Sequence, residues 1–232
     1  MLDNWKNLVI IEVAVEGLHF EKTILLFFAH DKRGEQMKLS NVATVRSGLV
    51  LSRKQAREQS VASNIRYPLL TLRSFNPKGY IDTSELDVFD ASEPLAPEYL
   101  SHIGDVIVRL SAPYTAVLID CNTEGMVISS NFVIIRTDSQ ELLPEYLFWL
   151  LNTQKVKRAI FENTGSNMLG AIKARYFSEF DITPLPLCQQ QQIAAVHELS
   201  LKEASLLRQL ADEKERYYSL MIDHAQKEYR KR

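Results

Sequence analysis

The longest regular pattern of apolar positions lies at the C-terminal end of the chain. From Leu187 to Arg232 there is no glycine or proline, and apolar side chains recur about every 3.6 residues. This period predicts one helix over residues 188–232, about 66 Å long at ~1.5 Å per residue. Because a helix of that length outruns a small domain, part of its apolar stripe is expected to meet another helix. The stripe includes Ile193, Val196, Leu199, Leu206, Leu210, Tyr217 and Met221.

Residues 37–187 have a different pattern, in which short β-like runs alternate with turn signals. Pro144 is expected to open a helix over Pro144–Leu151, since proline suits the first helical turn, and Lys155–Phe161 to continue it. A polar loop is expected at Thr164–Met168. The pattern therefore predicts an α+β fold: a mixed α/β globular domain followed by one long C-terminal α-helix. The predicted strands, rich in Val and Ile, are Tyr67–Leu72, Asp105–Leu110, Ala116–Ile119 and Val127–Ile135.

The first 36 residues are harder to assign. Leu8–Val15 resembles a strand and Thr23–Ala29 is a second apolar stretch, but neither approaches the ~20 residues that span a bilayer. No signal peptide is apparent, so a cytoplasmic protein without a membrane segment is expected. We divide the chain into an N-terminal extension of uncertain status (1–36), a globular domain (37–187) and a spacer or dimerisation helix (188–232).

Composition is ordinary for a globular protein, but the charge is unevenly distributed. The 232 residues are 46% hydrophobic and carry a net charge of -2, which by itself argues against a nucleic-acid partner. Residues 38–78 hold eight basic residues and one acid (+7), 79–149 hold two and twelve (-10), and 150–175 hold five and one (+4). This segregation indicates at least one electrostatically specialised face. A mixed, solvated surface is the alternative.

Motifs for catalysis are absent from the sequence. Gly165 and Gly170 have the spacing of a phosphate-binding loop, but Ala171 and Ile172 follow where Lys and Ser or Thr are required. The two cysteines cannot make a four-cysteine zinc site, and the five histidines are never paired at i, i+4. We therefore expect no metal, no cofactor and no catalytic residue.

Several segments, in this order and spacing, resemble the specificity subunits of type I restriction–modification systems. The junction with the long helix is the most specific of them, because that family joins its recognition domain to a spacer helix through a similar Pro- and Gln-rich stretch. Cys188 and Gln189 depart from its usual polar or acidic residues, and residues 1–36 match nothing in the family, so Met37 is hypothesised to be the natural start. The segments are Lys38–Gly48 (KLSNVATVRSG), Tyr67–Leu70 (YPLL), Gly79–Asp82 (GYID), Gly104–Arg109 (GDVIVR), Ile128–Arg136 (ISSNFVIIR) and Ile182–Ala194 (ITPLPLCQQQQIA).

The resemblance implies a non-catalytic subunit that recognises double-stranded DNA through a single target recognition domain, where a full subunit carries two. It would read half of a bipartite target and position methyltransferase and restriction subunits, with its helix pairing in a homodimer. Basic side chains would contact phosphates and polar ones base edges, and Tyr114 would stack or hydrogen-bond at a groove edge. The acidic block (residues 79–149) would face away from DNA. The candidate DNA-binding residues are Arg46, Ser47, Arg53, Lys54, Arg57, Arg73, Asn76, Lys78, Arg109, Tyr114, Lys157, Ser166, Asn167 and Lys173.

Two other classes of function remain open on the sequence. The chain could be a coiled-coil adaptor whose globular head binds protein without DNA specificity. It could also be an enzyme, although no motif supports this. Salt-sensitive, sequence-dependent binding to duplex DNA would separate the recognition subunit from the adaptor.

Overall fold

A small α+β domain with a projecting helix accounts for the chain from Glu35 onward. The structure, a computed structural model, describes residues 35–56, 65–164 and 172–230. The strands are β1 (Met37–Lys38), β2 (Ala43–Ser47), β3 (Ile65–Leu70), β4 (Phe75–Asn76), β5 (Tyr80–Ile81), β6 (Asp87–Ala91), β7 (Val106–Arg109), β8 (Ala116–Leu118), β9 (Val127–Ile128), β10 (Phe132–Thr137) and β11 (Asp181–Ile182). The helices are α1 (Pro144–Asn152), α2 (Gln154–Thr164), α3 (Ala174–Ser178) and α4 (Leu187–Arg230).

Two sheets organise the domain. The larger is antiparallel, with strand order β2-β10-β7-β8, and the smaller has the order β6-β3-β9, in which β3 and β9 run parallel. The two sheets are connected directly, because the short turn Ser129–Asn131 leads from β9 into β10. Two further two-stranded ribbons pair β1 with β11 and β4 with β5.

Alternating side chains of the larger sheet face two cores. Val106 and Val108 of β7 pack into a cluster with helices α1, α2 and α3, whereas Ile107 packs into a cluster that includes residues of the smaller sheet. The same alternation holds for β10. Since both faces are covered, these strands read as continuous apolar runs in the sequence.

A buried ion pair ties β7 to β10. Asp105, which is 2% exposed, accepts hydrogen bonds from Arg136 Nε (2.8 Å) and Nη2 (3.1 Å). The same carboxylate accepts the His102 N–H (2.8 Å), and Arg136 Nη2 also donates to the Leu100 carbonyl (2.9 Å). The pair therefore joins two of the segments that carried the resemblance, Gly104–Arg109 and Ile128–Arg136.

Gly48 lies where the backbones of the two sheets approach each other. A Cβ at this position would lie 2.2 Å from the Ser129 carbonyl oxygen and 2.5 Å from that of Ile128. No side chain fits in that space without moving the backbone. This contact explains the glycine that ends the first of the matching segments.

The sequence predicted the longer helices and five of the eleven strands, β3, β7, β8, β9 and β10, with two corrections. The long helix and the α+β fold are confirmed, with α4 spanning Leu187–Arg230. The run Val127–Ile135 is not one strand, because the Ser129–Asn131 turn divides it into β9 and β10. The predicted continuation of α1 is a separate helix, because the chain is extended at Thr153.

The predicted strand Leu8–Val15 and most of the loop Thr164–Met168 lie outside the described residues. Within the described ranges, none of the helices is long and apolar enough to cross a membrane.

Candidate nucleic-acid interface

Several strands of both sheets end or begin at the same edge. β2 ends at Ser47, opposite Val133, and β7 ends at Arg109, opposite Phe132 at the start of β10. β3 ends at Leu70 beside Ile128, just before the Ser129–Asn131 turn. The connecting segments therefore lie together, and we call residues 47–54, 71–79, 109–115 and 129–131 the loop edge.

Backbone hydrogen bonds hold these loops to one another. The Leu110 N–H donates to the Asn131 carbonyl (3.0 Å), and the Ser130 N–H donates to the Leu49 carbonyl (2.8 Å). The Ile172 N–H donates to the Leu110 carbonyl (2.8 Å), which brings the following residue, Lys173, to this edge. The loop edge is therefore a braced surface on which side chains can be held in defined positions.

Three of the predicted basic residues are paired with acids of the acidic block. Arg46 contacts Glu98 and Lys54 contacts Glu93, and the hydrogen bond and charge of Glu93 raise the pKa of Lys54. Arg73 contacts two carboxylates, at 2.9 Å through Nε and 3.0 Å through Nη2. Its partners are Glu85 and Asp87.

The acidic block was expected to face away from DNA, but these pairs place some of its carboxylates beside candidate DNA-binding cations. Strands β3 and β6 pair antiparallel, which sets acidic and basic residues side by side on the same ribbon, as in the ion pair between Arg66 and Asp90 (3.0 Å). Exposed ion pairs of this kind are worth only ~0–1 kcal/mol, so a DNA phosphate could compete for each cation.

Five predicted basic residues have no carboxylate partner among the described residues: Arg109, whose Nε donates to Ser111 Oγ, and four others. Arg53, Lys78 and Lys173 are exposed, whereas Lys157 is half-buried and its burial lowers its pKa. Lys157 lies on α2, whose start is fixed near the loop edge by hydrogen bonds between Asn152 and Ala116 (3.0 and 3.1 Å). These four cations are free to meet phosphates without first breaking an ion pair.

The predicted site residues Ser47, Asn76 and Arg109 differ in their exposure and in the hydrogen bonds that their side chains make. Ser47 is exposed at the end of β2. The Asn76 side chain shapes its own turn, since it accepts the Lys78 N–H (2.9 Å) and donates to the Tyr80 hydroxyl (2.9 Å). Arg109 is half-buried and donates from Nε to Ser111 Oγ (2.9 Å).

The expected stacking role of Tyr114 does not fit its position. Its side chain is 3% exposed and packs in the helix-side core with Val108 and Ala116. The backbone turns here with a φ of 52°, which directs the ring inward. The tyrosine therefore supports the loop from beneath. Arg57, Ser166 and Asn167 lie outside the described residues.

Sequence reasoning missed two residues at the middle of the loop edge. Ser130 and Asn131 are exposed on the turn between β9 and β10, flanked by Leu49 on one side and Leu110 on the other. The signal was a Ser-Ser-Asn run within an otherwise apolar stretch. The side-chain amide of an exposed Asn offers a donor and an acceptor. These match the acceptor and the donor that adenine presents in the major groove.

The described residues hold no cluster of three or more His, Cys, Asp or Glu side chains that could bind a metal ion.

Comparison with known proteins identifies the fold through structures alone. No family model matches the sequence, and no curated protein matches it. One similar solved chain comes from work on complex assembly and conformational transition of the type I R-M system; it is 17% identical over 84% of this chain, with a TM-score of 0.60. Another is the HsdS subunit from Thermoanaerobacter tengcongensis, 18% identical over 82% of this chain, with a TM-score of 0.57.

The present chain spans about half the length of these structures, 49% of the first and 48% of the second. The matches cover more than four fifths of this chain, which consists of an α+β domain followed by a long helix. The resemblance noted in the sequence is thus confirmed at the level of the fold, and this chain has the fold of a type I restriction–modification specificity subunit.

Proposed function

We propose that this chain recognises a specific sequence in duplex DNA through the loop edge. The observation that carries the proposal is the combination of this fold with unpaired cations at one braced edge of the two sheets. Lys78 and Lys173 are exposed there, and Arg53 lies in the same set of loops. The loop edge also carries the exposed polar side chains of Ser47 and Asn131.

The two kinds of side chain would do different work. Cations that contact phosphates set the position of the protein on the duplex, and each contributes ~0.9 to the slope of log affinity against log salt. Polar side chains that reach base edges supply specificity, at ~1–3 kcal/mol for a good bidentate contact. Arg46, Lys54 and Arg73 would exchange a carboxylate for DNA and therefore contribute less net affinity.

We further propose that the chain acts within a type I restriction–modification system, where it reads half of a bipartite target. It would position the methyltransferase and restriction subunits on DNA, and these partners would carry the catalysis. The similarity in fold to the HsdS subunit supports this assignment.

Helix α4 would act as the spacer and pair with a second copy of the chain. Its apolar stripe is unusually exposed, with Leu199 at 67%, Leu206 at 55% and Tyr217 at 59%. A two-fold pair of such chains would bury the stripe and read an interrupted palindrome. Light scattering at tens of micromolar should give the mass of a dimer, and a monomer at that concentration would contradict the pairing.

An adaptor without DNA specificity is the second candidate, and the same exposed stripe favours it. A long helix with an open apolar face can join proteins whether or not the globular domain meets DNA. The adaptor predicts no duplex binding even at low salt.

The deciding experiment is selection from a random duplex pool, with the methyltransferase partner present. DNA recognition predicts an enriched motif in two parts with a fixed gap, and binding that weakens steeply with salt. An unenriched pool together with no low-salt binding would overturn the proposal in favour of the adaptor.

A further inference from the structure

The side chain of Gln190 is the most completely buried polar group on the long helix. It is 0% exposed, although its neighbours Gln191 and Gln192 in the same helical turn are exposed. Gln190 Oε1 accepts the Leu143 N–H (2.8 Å), and Nε2 donates to the carbonyls of Glu141 (2.9 Å) and Leu185 (2.7 Å). The amide thus bonds the segment before α1 and the segment before α4 at once.

Apolar and ring contacts also hold the first turns of α4 against the domain. Ile193 packs partly against the helix-side core, and one turn later the His197 ring contacts the Phe148 ring at a centroid distance of 5.2 Å. From residue 205 to residue 230 every side chain is exposed. The direction of α4 is therefore set within its first three turns.

Hydrogen bonds control direction in a way that apolar contacts do not. An amide that makes three bonds of 2.7–2.9 Å to fixed backbone groups tolerates little rotation, because hydrogen bonds weaken steeply as their angles depart from linearity. Ile193 and the ring pair can slide or tilt with smaller loss. Gln190 is consequently the contact that defines the angle of the helix.

The length of α4 magnifies any error in that angle. About 60 Å of helix extends beyond Gln190 at ~1.5 Å per residue. A tilt of about 10° at the base would move the far end by roughly 10 Å, or about three base pairs at ~3.4 Å each. If the spacer is to hold the gap to a single base pair, the angle at the start of the helix must be fixed to within a few degrees.

We propose that Gln190 is the positioning residue that fixes the angle of α4 and so sets the gap in the DNA target. The inference rests on the proposed function for its consequence on DNA, but the locked joint is a property of the free protein. Both levels can be tested with the full chain.

The angle is tested by measuring distances between two spin labels. One label is placed on the exposed native Cys121 and the other on Ile222→Cys, with Cys188→Ser removing the second native thiol. Gln190→Ala should broaden the distance distribution or shift it by several ångströms, whereas the matched control Gln191→Ala should leave it unchanged. Circular dichroism checks that both variants keep their helix content. An unchanged distribution in folded Gln190→Ala would overturn the proposal.

The consequence on DNA is tested by repeating the duplex selection with the same variants. Gln190→Ala should keep the bases of the motif and spread the gap over two or more lengths, whereas Gln191→Ala should keep one gap. If Gln190→Ala broadens the spin-label distance distribution but still selects a motif with one gap length, the positioning role is overturned. If the unmodified chain itself shows no sequence preference, the proposed function is refuted instead. The distance measurement then still tests whether Gln190 fixes the angle of α4.

Discussion

The ion pair between Asp105 and Arg136 offers a direct test of how the core is held together. Asp105 is 2% exposed and accepts three hydrogen bonds, two from Arg136 and one from the His102 N–H. Replacing it with alanine removes the carboxylate and leaves the guanidinium without its partner. The variant Asp105→Ala is therefore expected to lower the free energy of unfolding.

The magnitude follows from the surroundings of each group. Removing one member of a buried ion pair costs ~3–5 kcal/mol, because the remaining charge is left uncompensated. The Arg136 side chain is 33% exposed, so water relieves part of that cost. The His102 N–H loses its acceptor as well, which adds about 1 kcal/mol. Together these effects give an expected loss of ~3–4 kcal/mol.

Urea unfolding followed by circular dichroism measures this loss. Glu124→Ala, at an exposed site, is the matched control and should stay within ~0.5 kcal/mol of the parent protein. Arg136→Met should cost at least as much as Asp105→Ala, because it strands a charge that is almost fully buried. The double variant should cost less than the sum of the two. A loss below about 1 kcal/mol in Asp105→Ala would refute the reasoning.

Three further expectations follow from the fold and the loop edge. Gly48→Ala should lower the free energy of unfolding by ~1–3 kcal/mol, because the new Cβ meets backbone; parental stability in urea would contradict this close approach. Lys78→Ala and Lys173→Ala should each weaken DNA binding about equally for all sequences and reduce the salt slope by ~0.9; a changed base preference with the slope intact would contradict phosphate contact. Burial lowers the pKa of His197, so the folded state resists its protonation and the free energy of unfolding should fall as the pH drops below about 6.5. His197→Phe should flatten the pH dependence of stability in this range, and an unaltered dependence would exclude His197 as its source.

Local patterns in the sequence predicted a large part of the secondary structure. The 3.6-residue period without glycine or proline predicted α4, because a helix is specified by its own side-chain spacing over many turns. The apolar runs predicted three of the four strands of the larger sheet, β7, β8 and β10, because both faces of β7 and β10 are buried. The fourth, β2, is half exposed and was not predicted. The Ser129–Asn131 turn escaped notice, since three small polar residues barely interrupt an apolar run.

Charge and site residues depended on pairings between distant segments. Counting charges by block indicated an electrostatically specialised face, but the antiparallel pairing of β3 with β6 places acids of one block beside Arg66 and Arg73 of another. Tyr114 looked like a residue at a groove edge, yet its backbone turns the ring into the core. Neither outcome can be read from neighbouring residues.

The role of Gln190 could not be predicted from the sequence. The four consecutive glutamines look alike as a helix start, but only one of them reaches a backbone N–H that lies 47 residues earlier in the chain. The sequence by itself determined the longer helices, five of the strands and the resemblance, because those depend on local spacing. The tertiary structure alone decided which cations are free, which polar groups are locked and at what angle the helix leaves the domain, because each depends on contacts between residues far apart in sequence.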